Sequence, residues 1–381
     1  MAIVIGGLVS FVASRFSKPI RSFLERQGMT STIYKHEAQA DLPGVAFGPM
    51  RQMIMTQVKS AGLKVIEDQE GRLTVETAHG LIGLRPGTSV ETAGIVAAAD
   101  ERWLFVMKNA VLQQMRHVMP EVAESMRWTD GDNEGALPPN FTFAHVREVT
   151  QLGPVFLRVT LEAEDFSAYQ NDAIHFRLVQ PQKGLEPAWP TLAPNGAIKW
   201  PDGESAPHKP VYTARTVDHA SNRLVTDVYI HEGGRTTEWA QEILSGERER
   251  RVVGLVGPSG GGHLNADRVL LASDETGFPA AARLLENLSD GARGQILLEA
   301  EHGADCAYPV DAPEGVEVVW LSRSKGDVLG QATLAALEQH AGAKIWFAGE
   351  RHQATRLREA AKAAGWPPGD LRISGFWTAK D

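Results

Sequence analysis

The chain has one cysteine, Cys306, in 381 residues. A single thiol excludes an intramolecular disulfide framework and an iron–sulfur cluster held by four thiolates. It fits a reducing compartment, and the cytoplasm is the expected location. Metal-ligand spacing is missing as well: the twelve histidines are scattered, with no His-x3-His or carboxylate pattern around them. There is no basic surplus. Lys and Arg number 38 against 47 Asp and Glu, and the net charge of −9 gives no general affinity for nucleic acid or an anionic membrane. Long apolar runs are absent too. The opening "MAIVIGGLVSFVASRF" is too short to span a bilayer and has no basic residues ahead of it; Arg15, Lys18, Arg21 and Arg26 follow it instead. A helix lying on a membrane surface and a dispensable extension before Met29 are both open readings. Residues 1–28 are therefore set apart as an N-terminal extension without stable membrane insertion. No period of 20–50 residues repeats, which excludes a solenoid.

What is present is the composition of a soluble globular protein, 43% apolar and 22% charged, with 37 Gly and 21 Pro to supply turns. The length suits two or three domains. Residues 29–130 mix helix and strand. Helical spacing is expected over 45–62 and 101–126, the second helix ending near Pro120 or just past it, and short strands at 63–67, 72–77, 80–85 and 92–98. "TDGDNEGALPPN" (129–140) reads as a linker. Residues 141–257 read as β, with "VFLRVTL", "AIHFRLVQP", "PVYTARTVD", "RLVTDVYIHE" and "RVVGLVGP" as strands between turn residues, which predicts a barrel or sandwich. The Pro-rich stretch 183–209 is expected to be a surface loop. From 268 the rhythm changes to strands alternating with helices of ten to fifteen residues, the pattern of a parallel sheet covered on both faces.

No acid–base pair, triad or metal cluster stands out, so the motifs point to binding. Tyr212 and Thr213, followed by Arg215, can offer an aromatic face, a hydroxyl and a cation; they can equally be ordinary strand residues. "HEGGRTTEW" (231–239) sets glycines before Thr236 and Thr237 at a predicted helix start, where free N–H groups bind anions; a simple helix cap is the alternative. "SDETGF" (273–278) lies on a strand-to-helix turn, where open sheets meet ligands, but Asp274 and Glu275 would repel phosphate. Ser322, Arg323 and Lys325 in "WLSRSKGD" can hold a 2′-phosphate or form a solvated basic loop. "GPSGGGH" (257–263) lacks the Lys-Ser/Thr ending of a phosphate loop and reads as a hinge.

From about residue 137 onward the ordered segments "HFRL", "VYTAR", "VYIHEGGRTTEWA", "SDETGFPAAARLLE", "WFAGE" and "GFW" resemble the siderophore-interacting protein family, flavin-dependent ferric-siderophore reductases of the ferredoxin-reductase-like superfamily. Residues 31–130 resemble a small domain of unassigned role. The resemblance implies an α+β N-terminal domain, an antiparallel β-barrel binding FAD over 137–262 and a doubly wound α/β, NAD(P)-binding-like domain over 263–381. It implies FAD contacts from Tyr212, Thr213, Arg215, His231, Thr236, Thr237, Trp239, Thr276 and Trp377. Asp274, Thr276, Ser322 and Arg323 are implied for NADPH or NADH, and Arg177 and Lys380 for the ferric siderophore. A ferredoxin is a further candidate electron donor. The chain departs from the family pattern at Pro210, where an Arg is usual, at Arg235, where a Pro is usual, and at Thr378, where an Arg is usual. Two rival readings stay open: a general NAD(P)H:flavin or ferredoxin-type oxidoreductase, and a non-catalytic module that binds a siderophore or a partner without flavin.

Overall fold

The computed structural model describes residues 34–379 apart from 62, 78, 89, 132, 171, 172, 262 and 327. The extension 1–28 and Lys380 lie outside the described residues. The chain divides into two compact units: one runs to Phe141 and includes Glu186–Pro207, and the other holds Thr142–Leu185 and everything from His208 onward.

The first unit is α+β. Strands β1 (His36–Asp41), β2 (Lys64–Gln69), β3 (Arg72–Glu76), β4 (Gly80–Arg85) and β5 (Ala93–Ala98) form an antiparallel sheet in the order β1-β5-β4-β3-β2. Helix α1 (Phe47–Ala61) links β1 to β2, and α2 (Glu101–Val118) follows β5. Asp100 caps α2 by accepting from the Trp103 N–H at 2.8 Å, and Leu104, Met107, Leu112 and Met115 form its buried stripe. The helical stretch expected over 101–126 breaks at Pro120, the end point anticipated for it: Pro120 has no N–H to continue α2 and instead opens α3 (Pro120–Ser125).

The second unit begins with β6 (Phe141–Leu152), β7 (Phe156–Glu162) and β8 (His175–Val179). The stretch expected as a surface loop then joins the first unit. It carries the hairpin β9 (Thr191–Leu192) and β10 (Ile198–Lys199), buries Leu192, Asn195 and Ala197, and anchors through Asn195 Nδ2 donating to the Ala123 carbonyl at 3.1 Å. Back in the second unit come β11 (Val211–Thr213), β12 (Thr216–Asp218), β13 (Arg223–Tyr229), α4 (Arg235–Leu244) and β14 (Val252–Ser259). The sheet order is β11-β8-β14-β6-β7-β13-β12. Strands β11 and β12 are consecutive yet stand at opposite edges, so the two residues between them close the barrel. The Ala214 N–H donates to Ile174 O at 2.7 Å, and the Arg215 N–H donates to Val225 O at 2.8 Å.

The same unit continues as the expected α/β layer structure. Strands β15 (Arg268–Asp274), β16 (Arg293–Ala300), β17 (Val316–Ser322), β18 (Lys344–Glu350) and β19 (Leu371–Trp377) pair in parallel in the order β17-β16-β15-β18-β19. Helix α5 (Phe278–Glu286) packs on one face with Leu271, Ile296 and Leu298; α6 (Leu329–Ala336) and α7 (Arg351–Ala363) pack on the other with Leu270, Leu297 and Phe347. The strand order reverses between β15 and β18, which opens a crevice at their carboxyl ends. The turn at that point needs Gly277: a Cβ there would lie 2.2 Å from Ser273 Oγ and 2.8 Å from Ala348 Cβ.

Candidate functional site

Register sets which way the barrel residues face. Arg177 pairs with Val211, Phe176 with Tyr212 and His175 with Thr213, and paired residues share a face. His175, Arg177, Val211 and Thr213 therefore lie on one side, with Arg177 and Val211 exposed. Thr213 Oγ1 is 3.2 Å from His175 Nδ1, and burial pushes the His175 imidazole down to about 4, so it is neutral at physiological pH. Tyr212 takes the other side. Its half-buried ring packs on the barrel core, and burial pushes its hydroxyl up to about 12 while the Thr236 hydroxyl works against that shift. Tyr212 and the start of α4 thus meet.

The α4 N-terminus has no side-chain cap. Gly234 caps it with no side-chain acceptor, and no space is left there: a Cβ would lie 2.7 Å from His231 Nε2 and 2.8 Å from Thr237 Oγ1. Thr236 Oγ1 donates to Gln180 Oε1 at 3.1 Å, yet the buried Gln180 Nε2 has no partner. His231 is exposed; Thr237 is buried, donating to Tyr229 O at 3.3 Å and accepting from the His231 N–H. Two cations, Arg235 and Lys209, stand near the site, alongside Glu238 of the first turn. Arg235 is exposed on the first turn, and His208 is pushed down to about 4 by burial and by the nearby Arg235 and Lys209. An uncapped helix start, an orphaned buried amide and two nearby cations fit a pyrophosphate.

Several expected roles need correction. Trp239 does not reach a ligand: it is 1% exposed in the barrel core, and its Nε1 donates to Arg250 O at 3.0 Å. Arg215 is 8% exposed and bidentate to Glu286 of α5, with one contact at 2.8 Å, so it is not available as a phosphate clamp. Its neighbour in this joint, Arg283, donates to Ala214 O and to Gln170 O, the latter at 3.2 Å. The hydroxyls of Thr236 and Thr237 are engaged in the barrel, by Gln180 Oε1 and the Tyr229 carbonyl.

At the crevice, Asp274 accepts from Thr276 N at 3.0 Å, from Thr276 Oγ1 at 2.5 Å and from Trp377 Nε1 at 2.6 Å. It is therefore a buried tether for the β19 aromatics and not a free ribose ligand. Burial pushes its carboxyl up to about 6 against the hydrogen bonds that favour the anion. Trp377 and Phe376 are both exposed, and the Phe376 ring stands edge-on to His175 at 5.7 Å. These residues bring the parallel sheet's crevice against the barrel face that carries Thr213. Ser322 is buried and donates to Glu301 O at 3.3 Å; Arg323 is bound to three carboxylates, so neither is an open phosphate ligand. Among the described residues no group of His, Cys, Asp and Glu is placed to hold a metal ion, and no helix is long and apolar enough to cross a membrane. His175, Gln180 and His208 were not singled out from the sequence; the alternation in "HFRLVQ" would have put His175 on the Arg177 face.

An antiparallel barrel with an uncapped helix start, joined to a doubly wound parallel sheet, defines a flavin- and nucleotide-binding module of the ferredoxin-reductase-like class. Residues 145–262 match the siderophore-interacting FAD-binding domain, and residues 266–380 match the siderophore-interacting protein domain. The chain belongs to the siderophore-interacting protein family. It is 28% identical over 246 residues to an NADPH-dependent ferric-chelate reductase of Escherichia coli, covering 62% of this chain and 92% of that protein. It is 31% identical over 192 residues to the ferric vibriobactin reductase ViuB of Vibrio cholerae, covering 48% of this chain and 66% of that protein. The crystal structure of a siderophore utilization protein from T. fusca superposes with a TM-score of 0.50 at 26% identity, covering 62% of this chain and 92% of that one.

Proposed function

We propose that the chain is an FAD-dependent reductase of ferric siderophores that takes electrons from NAD(P)H and releases ferrous iron in the cytoplasm. The observation that carries this reading is the uncapped start of α4, with the unpartnered Gln180 amide beside it, inside the segment matched to the siderophore-interacting FAD-binding domain. The flavin supplies the redox chemistry, accepting a hydride and passing on single electrons. The chain's own residues bind and orient. The α4 backbone, Arg235 and Lys209 hold the pyrophosphate in place of Arg215. Tyr212, on the α4 side of its strand, offers the ring an aromatic face, while Thr213, on the opposite side with His175, lies toward the parallel sheet. Trp377 and Phe376, fixed through Asp274, cover the side toward the parallel sheet. Arg177, exposed beside Val211, faces the anionic iron chelate. No side chain has to act as nucleophile or general base. Hard oxygen donors hold Fe³⁺ far better than Fe²⁺, so reduction itself loosens the cargo.

The test is reconstitution. Purified protein mixed with FAD should turn yellow and quench flavin fluorescence, and a nicotinamide nucleotide under argon should bleach it. Protein that stays colourless at excess FAD contradicts the reading and favours a flavin-free binding module.

A further inference from the structure

The reading of a nicotinamide donor is the premise here. An open parallel sheet meets its nucleotide outside the carboxyl ends of its strands, and an acidic residue after the second strand accepts a hydrogen bond from the adenosine ribose. In this chain those ends are crowded with carboxylates. Glu275 follows β15, Glu299 closes β16 and Glu301 follows it, with side chains 4%, 7% and 52% exposed. A single guanidinium serves all three. Arg323 lies 2.6 Å from Glu275, 3.0 Å from Glu299 and 3.3 Å from Glu301. The two buried acids are also committed to backbone: Glu275 Oε1 accepts from Glu301 N at 3.1 Å, and Glu299 Oε2 accepts from Leu329 N at 2.5 Å. Three carboxylates against one guanidinium leave a local charge of −3 + 1 = −2.

We infer that this edge selects NADH over NADPH, with the exposed Glu301 as the acceptor for the ribose hydroxyls. A 2′-phosphate would have to draw on Arg323 or Lys325, the two cations that the sequence pattern offers for it. Arg323 cannot turn outward without abandoning Glu275 and Glu299 as buried, unpaired charges. With Arg323, 38% exposed, committed to the three carboxylates, a phosphate meets Glu301 as like charge at close range. A ribose carrying free hydroxyls meets the same carboxylate as a hydrogen-bond acceptor. Other groups face this edge too, among them His302, whose Nδ1 lies 3.2 Å from Ser324 Oγ. Tyr229 of the barrel lies beside Glu275 and Arg323 and is neutral, since burial and Glu275 both raise its pKa. Lys325, exposed on the turn Arg323–Lys325, is the cation a phosphate could still recruit. The chain would then part from its E. coli relative, which is described as NADPH-dependent.

The experiment pairs two readouts on the FAD-loaded full chain. Calorimetry compares 5′-AMP with 2′,5′-ADP, and anaerobic mixing compares flavin bleaching by NADH and by NADPH. NADH is expected to win by at least about tenfold in kcat/KM, and 5′-AMP to bind at least about tenfold more tightly than 2′,5′-ADP. Glu301→Arg narrows both gaps, whereas Lys325→Ala, which removes the cation a phosphate could still recruit, does not narrow them. NADPH bleaching as fast as NADH, or 2′,5′-ADP binding as tightly as 5′-AMP, overturns the inference and leaves the reductase reading standing. A flavin that neither nucleotide bleaches overturns both.

Discussion

Buried between Thr276 and Trp377, the carboxyl of Asp274 keeps its proton to about 6, where an unfolded aspartate releases it near 3.8. The folded chain therefore binds this proton more tightly than the unfolded chain does. The stabilisation from protonation is complete below the unfolded value and is lost as pH rises through the folded one. Over that window stability should fall by about 3 kcal/mol, at 1.36 kcal/mol per unit. Thermal denaturation between pH 4 and 7 should show the loss in the native chain, and Asp274→Asn should flatten it; an unchanged slope in the variant would contradict the assignment. A second buried acid, Asp227, accepts from Arg158 at 2.8 and 2.9 Å and from the Tyr308 hydroxyl at 2.7 Å. Tyr308→Phe leaves that acceptor short of a donor, and urea denaturation should register a loss of about 1–3 kcal/mol. Both contacts join partners far apart in sequence, 103 residues for Trp377–Asp274 and 81 for Tyr308–Asp227, so no local pattern announces them. The same distance hid the fate of Arg215, whose partner Glu286 lies 71 residues on.

Elements with strong alternation were legible in advance. In β7 Phe156, Leu157, Val159 and Leu161 are buried and the residues between them only partly so, close to what "VFLRVTL" announces, and the strand–helix rhythm after residue 268 gives the parallel sheet. Strand β1 was not: "HEAQAD" buries only Ala38 and Ala40 and contains no β-branched or aromatic residue. In α4 the sequence located the helix start but misjudged Trp239, because a tryptophan one turn into a helix can face a ligand or a core and only the barrel's curvature decides. The start itself supports a sharp prediction. In Gly234→Ala the new methyl displaces His231 and Thr237 from the turn, so FAD affinity should drop about tenfold, a cost near 1.4 kcal/mol, while the melting temperature of the apoprotein barely moves. Equal loss of both would make Gly234 a fold residue rather than a cradle for phosphate.

At the scale of the whole molecule, the Pro-rich insertion is the feature that sequence reading placed wrongly. Its prolines and glycines look like solvent-exposed chain, but Leu192 and Ala197 are buried in the first unit. Deleting residues 1–141 should therefore leave an FAD-binding protein with an orphaned hairpin. Limited proteolysis is expected to cut it within 186–207, and replacing that stretch by a short Gly-Ser linker should restore resistance. Resistance in the simple truncation would show that the insertion needs no partner from the first unit. The account as a whole depends on one chain of electron transfer. Anaerobic protein loaded with FAD should be bleached by NADH, regain its yellow colour when a ferric siderophore is added, and deliver two trapped ferrous ions for each NADH consumed. Flavin that stays reduced in the presence of the chelate, with no ferrous iron trapped, would contradict it.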